Sequence, residues 1–230
     1  MATKLLPLKV DQMFASWRSS LSQDTESVAF LDRAIQNART FTPRRDLFPN
    51  HLDGGQALLI IDGWAIRHTL LLDGRRQITQ LLVPGDVVTF DPVGAHGLPP
   101  LSALTNVTCT VIDADAHAPE ALRVWLAQRR DREMSGLHRQ IARVGRMSAV
   151  ERIVDLLLDV HERLLDAGLA TPTELPFPLT QELMADCLGL TSVHINRMLQ
   201  LLRRQNMIAA GGNKVSLLDI HECRRLVGRP

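Results

Sequence analysis

The stretch Leu179–Arg204, LTQELMADCLGLTSVHINRMLQLLRR, decides the reading of this chain. Thr180 stands where a helix N-cap belongs, and the spacing predicts a helix to Leu188 that packs Leu183, Met184, Cys187 and Leu188. Gly189 follows, at a short turn that needs a left-handed backbone. Thr191 caps a second helix over about 192–205, with Ile195, Leu199 and Leu202 inward and Met198 beside them. That leaves Ser192, Val193, Asn196 and Arg197 on one outward face near its N-terminus. Side chains so placed on the second helix of a helix-turn-helix can meet base edges in the DNA major groove.

Downstream, Met207-Ile208-Ala209, a Gly211-Gly212 turn and Lys214–Leu218 predict a β-hairpin, the wing of a winged helix. Upstream, Ser148 and Glu151 form a capping box that opens SAVERIVDLLLDVHERLLDAG, and the Pro-rich bridge 171–178 leads from it to the opening stretch. Between Pro119 and Val144 there is no proline, and the pattern predicts a long helix. Leu122 and Leu126, then Met134, Leu137, Ile141 and Val144 at 3-4-3 spacing, form an apolar seam whose phase slips at Arg130. Such a seam serves side-by-side helix packing, so Leu126, Met134, Leu137, Ile141 and Val144 are expected at a homodimer interface.

The first half follows a different grammar. After fifty residues of helical and irregular character, ALLII (57–61), AIRHTLLL (65–72), RRQITQLLV (75–83) and VVTF (87–90) are separated by Asp62-Gly63, Asp73-Gly74 and Pro84-Gly85-Asp86. Asp-Gly between β-compatible runs is a hairpin signal, because glycine supplies the positive φ of a tight turn. NVTCTVI (106–112) alternates, with Val107, Cys109 and Val111 on one face and Thr108 and Thr110 on the other. These short strands predict an antiparallel β-roll or jelly roll, with the Gly/Pro-rich 91–105 as a loop. Trp64, Arg67, Arg75 and Arg76 beside the turns read as polar hairpin decoration. The fold class expected is α+β.

Across 230 residues, Lys+Arg 26 against Asp+Glu 25 gives +1, which by itself announces no nucleic-acid partner. Its distribution is more informative: 123–146 carries seven arginines against Asp131 and Glu133, and basic residues also outnumber acidic ones from 180 onward. This gathers positive charge where phosphates would lie. No apolar run approaches the roughly 20 residues that span a bilayer. The N-terminal MATKLLPLKVDQMF lacks the pattern of a signal peptide, so a cytoplasmic protein without membrane contact is expected. Cys109, Cys187 and Cys223 are odd in number and far apart, which argues against a disulfide framework, a zinc site or a four-cysteine cluster.

Taken together, LTQELMADCLGLTSVHINRMLQLLRR and DGRRQITQLLVPGDVV (73–88), with its Pro-Gly-Asp turn, resemble the Crp/Fnr family of bacterial transcription regulators. The order of β-roll, long helix and winged helix resembles it over the whole chain. The resemblance implies a β-roll sensor (1–117), a dimerisation helix (118–147) and a winged helix-turn-helix DNA-binding domain (148–230). It also implies a homodimer on an inverted-repeat operator of double-stranded DNA, in contact with RNA polymerase. Thr180, Gln181 and Thr191 fall at family positions for phosphate contacts, and Ser192, Val193 and Arg197 at positions that read bases. Arg197 matches the family arginine and can bond guanine O6/N7. Ser192 and Val193 depart from the family's better-known patterns, so His194 and Asn196 are expected to carry part of the readout, with a capping role for His194 the alternative.

Cyclic-nucleotide-binding members of the family carry a Glu for the ribose and an Arg for the cyclic phosphate. The corresponding 91–105 has neither, and Leu101-Ser102-Ala103 stands where Arg-Ser/Thr-Ala is expected. Cyclic AMP is therefore not expected as the effector, and a small-molecule effector is unidentified. An iron–sulfur cluster is not expected either, since residues 1–108 hold no cysteine. Haem stays open through His51, His68, His96 or His117. A cupin-like metal enzyme would need an H-x-H pair, which the sequence lacks, so no enzymatic activity and no metal site are expected. A constitutive or protein-partner-regulated DNA-binding factor, with no small ligand, is the standing alternative.

Overall fold

A computed structural model describes residues 21, 24–47, 55–89, 100–113 and 118–229. Of the four histidines through which haem stays open, His51, His96 and His117 lie outside the described residues, as does most of the 91–105 loop. The chain divides into two compact units. One comprises residues up to Arg67 together with Leu82–Ser135, and the other His68–Leu81 together with Gly136–Pro230. The 68–81 hairpin thus groups with the C-terminal part of the chain.

In the first unit, β1 (Arg39–Phe41), β2 (Gln56–Asp62), β5 (Val87–Thr89) and β7 (Val107–Asp113) form an antiparallel sheet in the order β1-β7-β2-β5. The strands β3 (Ala65–Leu70), β4 (Arg76–Leu82) and β6 (Leu101–Ala103) form a second sheet, ordered β4-β3-β6. Two of these strands, β1 and β6, were not expected. Leu101–Ala103 lies inside the segment read as loop, and it becomes a strand by pairing with Ala65–Arg67. A three-residue strand has no periodicity of its own, so only its partner reveals it.

Leu58, Ile60, Ala65, Leu82, Val88, Leu101, Ala103, Val107 and Cys109 fill a common apolar core. Helix α1 (Thr25–Gln36), capped by Asp24, covers β7 on its other side. The alternation in β7 therefore does not separate core from solvent. Thr110 is 2% exposed, and its hydroxyl donates to the Ala34 carbonyl at 2.5 Å. Gly63 turns β2 into β3 with φ +80°, and a Cβ there would fall 1.9 Å from the Asn106 carbonyl oxygen, so only glycine fits. Trp64 and Arg67 are buried, not surface decoration as expected. Burial lowers the Arg67 pKa, and the charge of Glu133 opposes that shift.

Helix α2 (Glu120–Arg146) runs as one element through the expected seam. Leu126, expected to face a partner, is instead buried in its own chain with Leu122 and Trp125. Met134 and Ile141 are exposed, and Leu137 and Val144 are half-buried. The phase slip at Arg130 thus separates an inward-facing start from an outward-facing continuation.

In the second unit, α3 (Ala149–Asp166) begins with the predicted capping box: Glu151 accepts from the Ser148 N–H at 2.6 Å, and Ser148 Oγ accepts from the Glu151 N–H at 3.4 Å. It buries Ile153, Val154, Leu156, Leu157, Leu158, Val160 and Leu164, each full burial being worth roughly 1.5–3 kcal/mol. Asp155 is buried on the same helix, and is held there by two arginines. Arg143 Nε donates to its Oδ2 at 2.8 Å, and Arg229 donates to its Oδ1 from Nε at 2.9 Å and Nη2 at 2.6 Å. The C-terminal arginine is thereby tied to the middle of α3.

Candidate DNA-binding site

Helix α4 (Gln181–Leu188) and helix α5 (Ser192–Arg204) realise the two predicted helices of the opening stretch. Thr180 caps α4, accepting from the Leu183 N–H at 3.2 Å, and Thr191 caps α5, accepting from the His194 N–H at 3.2 Å. Each cap uses a lone pair and leaves the hydroxyl proton free to meet a phosphate oxygen. The cap of α5 is thus Thr191, and His194 contributes to it through its backbone while its side chain is exposed. Gly189 joins the helices at φ +63° and ψ 39°, the left-handed geometry predicted for it. Its Cβ position is unobstructed, so a larger residue would be disfavoured by backbone conformation rather than by contact.

Ile195, Leu199 and Leu202 anchor α5 in the core of the unit. The same 3.6-residue period turns Val193 and Arg197 outward, Val193 being 60% exposed. Gln181, Ser192, Val193, Asn196 and Arg197 line one open concavity of about 370 Å³. Five of the eight residues expected to touch DNA therefore converge on a single surface feature, with Thr180 and Thr191 at the adjoining helix N-termini. Arg197 is exposed and meets no carboxylate among the described residues, so its guanidinium is available to a ligand.

Asn196 is differently placed from its neighbours. Its Nδ2 donates to Gln181 Oε1 at 3.0 Å, and its Oδ1 accepts from Gln200 Nε2 at 2.8 Å. Gln200, at helical spacing i+4 from Asn196, was not among the expected site residues. Its polar character in an exposed position is unremarkable in sequence, and only the contact identifies it.

The wing follows α5. Strands β8 (Glu174–Pro176), β9 (Ile208–Gly211) and β10 (Lys214–Leu217) form an antiparallel sheet in the order β8-β10-β9. The β9–β10 turn places Gly212 and Asn213 both at φ 60°, the doubly left-handed turn of a two-residue hairpin. Strand β8 was not expected. It lies in the Pro-rich bridge and is recruited by β10, with Lys214 Nζ donating to Glu174 Oε1 at 2.7 Å. A last helix, α6 (Ile220–Leu226), completes the unit.

At the position where a cyclic-phosphate cation was expected to be missing, Leu101 is 6% exposed and belongs to the apolar core. Ser102 donates to Asp46 Oδ1 at 2.8 Å, and the buried Arg67 stands in register with Leu101 on the neighbouring strand. Among the described residues no group of three or more His, Cys, Asp or Glu is arranged to hold a metal ion. No helix among them is long and apolar enough to cross a membrane.

Residues 151–226 match the model of the Crp-like helix-turn-helix domain. A nitrogen fixation regulation protein FixK of Bradyrhizobium diazoefficiens is 32% identical over 165 residues, covering 70% of this chain and 69% of that protein. The transcriptional activatory protein AadR of Rhodopseudomonas palustris is 28% identical over 193 residues, covering 82% of this chain and 80% of its own. The solved structure of FixK2 from Bradyrhizobium japonicum superposes with a TM-score of 0.70 at 21% identity, over 83% of this chain and 96% of that one. By the match of residues 151–226 to the Crp-like helix-turn-helix domain and the 32% identity to FixK, the chain belongs to the Crp/Fnr family of transcriptional regulators.

Proposed function

We propose that this chain is a sequence-specific DNA-binding transcription regulator that acts as a cytoplasmic homodimer on an inverted-repeat operator and contacts RNA polymerase. The observation that carries the reading is the convergence of Gln181, Ser192, Val193 and the unpaired Arg197 on one open concavity at the start of α5. That helix end combines exposed donors, a charge without an internal partner and the size to enter a major groove. Thr180, Gln181 and Thr191 hold the phosphates, Arg197 bonds guanine O6/N7, and Val193 packs on a thymine methyl. Ser192 supplies one hydroxyl donor or acceptor.

The two N-terminal sheets act as a β-roll sensor, and its effector carries no cyclic phosphate. Support for this comes from Leu101, a buried apolar residue standing where the family resemblance would put an arginine. Met134, Leu137, Ile141 and Val144 make the dimer seam along α2. A dimer suits an inverted repeat because two recognition helices then enter successive major grooves about 34–36 Å apart.

The test is a mobility-shift titration on genomic fragments with the wild type and Arg197→Ala. Loss of one bidentate guanine contact per protomer lowers affinity for the selected operator by roughly 1–3 kcal/mol per contact, with sedimentation unchanged. Equal binding by the two proteins would refute the reading.

A further inference from the structure

The expected base reader Asn196 is already engaged inside the protein. Asn196 and Gln200 stand four residues apart on α5, so their side chains stack on one helix face. The Gln200 amide donates to Asn196 Oδ1 at 2.8 Å, and the Asn196 amide donates onward to Gln181 Oε1 at 3.0 Å. Gln181 is the first residue of α4, so the chain of amides crosses from the second helix of the pair to the start of the first.

The direction of this chain has a chemical consequence. An asparagine reads adenine by using its carbonyl and its amide together, against N6 and N7. Asn196 Oδ1 is engaged by Gln200 and one of its amide hydrogens by Gln181, so a bidentate adenine contact competes with both bonds. At Gln181 the carbonyl oxygen is used as acceptor, and the two hydrogens of its amide nitrogen remain. They sit beside the capped N-terminus of α4, where backbone N–H groups and the helix dipole also favour an anion.

From this we infer that Asn196 and Gln200 are positioning residues: they orient the Gln181 amide as a phosphate donor and do not themselves read bases. The inference rests on the DNA-binding reading above and sharpens it. Base recognition then falls to Ser192, Val193, Arg197 and the exposed His194, while three amides serve to seat the backbone. Gln200 thereby enters the binding machinery from a position that touches no DNA.

The experiment is a selection from a pool of duplexes with a randomised central segment, using the full-length wild type, Asn196→Ala, Gln200→Leu, Gln181→Ala, Arg197→Ala and the double variant Gln181→Ala/Gln200→Leu. Each variant's melting transition is recorded first, and these half-buried or exposed side chains leave it close to wild type. Asn196→Ala and Gln200→Leu select the wild-type motif, base for base, with affinity lowered several-fold on every duplex alike. The double variant binds no more weakly than Gln181→Ala alone, since Gln200 acts only through Gln181. A changed base preference at one position in Asn196→Ala, undiminished affinity in either single variant, or losses that multiply in the double variant would each overturn the inference. Arg197→Ala separates the two levels of argument. If the wild type selects no motif that Arg197→Ala loses, the DNA-binding reading itself fails; if it does, the amide variants alone judge the inference.

Discussion

Arg76 holds Asp186 across 110 positions of sequence, its Nε and Nη2 both donating to Asp186 Oδ2 at 2.9 and 2.7 Å. The contact joins the 68–81 hairpin to the first helix of the DNA-binding pair. Around it, the last carbonyls of α4 are taken by three side chains from three segments. Gln77 Nε2 donates to Asp186 O at 2.9 Å and Cys187 O at 3.3 Å, Gln140 Nε2 to Cys187 O at 2.6 Å, and Arg152 Nη1 to Leu188 O at 2.9 Å. A helix C-terminus leaves such carbonyls without intrahelical donors, and here tertiary structure supplies them.

The hairpin contact is measurable as a coupling. Both side chains of the Arg76–Asp186 pair are about one-third exposed, at 33% and 28%, so solvent screens much of their attraction. A double-mutant cycle of Arg76→Ala and Asp186→Ala in urea denaturation gives roughly 0.5–1 kcal/mol of interaction. Additive effects of the two changes would mean that the pair holds nothing.

Acid should weaken the second unit through Asp159. Burial favours the protonated form, but the charges of Arg163, Arg143, Arg229 and Arg139 outweigh it and hold the carboxyl below the usual range. A carboxyl depressed in the folded state adds stability above its unfolded pKa, near 3.9 as an approximate reference, and that stability is lost as pH falls through the folded value. Asp159→Asn is therefore less stable than wild type at pH 7, and the gap narrows as the pH drops below about 4. Unfolding free energies measured from pH 7 downward check this, and a constant gap would contradict it.

The exposed half of the α2 seam predicts the oligomeric state. Ile141 is 67% exposed and Met134 49%, large apolar surfaces that no element among the described residues covers. Ile141→Glu should yield a monomer in sedimentation velocity while the fold, by circular dichroism, is retained. The same change at Leu126, which is 4% exposed, should instead unfold its own unit. An unaltered mass for Ile141→Glu would remove α2 as the interface.

The three cysteines should be inert in the folded chain. All are buried, and burial pushes the Cys109 and Cys187 thiols up to about 12 and that of Cys223 to about 11. Thiolate is the reactive species, so a colorimetric disulfide reagent at pH 8 finds no thiol in native protein and three in guanidinium. Rapid reaction of one thiol without denaturant would show an opening that the packing does not provide.

Local chemistry made much of this protein legible from its sequence. The caps at Ser148, Thr180 and Thr191, the left-handed turn at Gly189 and the wing turn after Gly211 each depend on residues within a few positions of one another, so sequence alone determined them. The outward set Ser192, Val193 and Arg197 followed from helical period once Ile195, Leu199 and Leu202 were assigned inward.

Only the tertiary structure decided the rest, because each feature needs a partner distant in the chain. Leu101–Ala103 is a strand because Ala65–Arg67 offers it a ladder, and Leu126 is core because Leu122 and Trp125 turn inward with it. The guanidinium of Arg76 is a structural tie because the chain returns Asp186 to it. Asn196 shows the division most clearly: its type suits base recognition, but both ends of its amide are bonded to Gln181 and Gln200. A side chain's type sets what it can bond, and its neighbours in space set what it does bond.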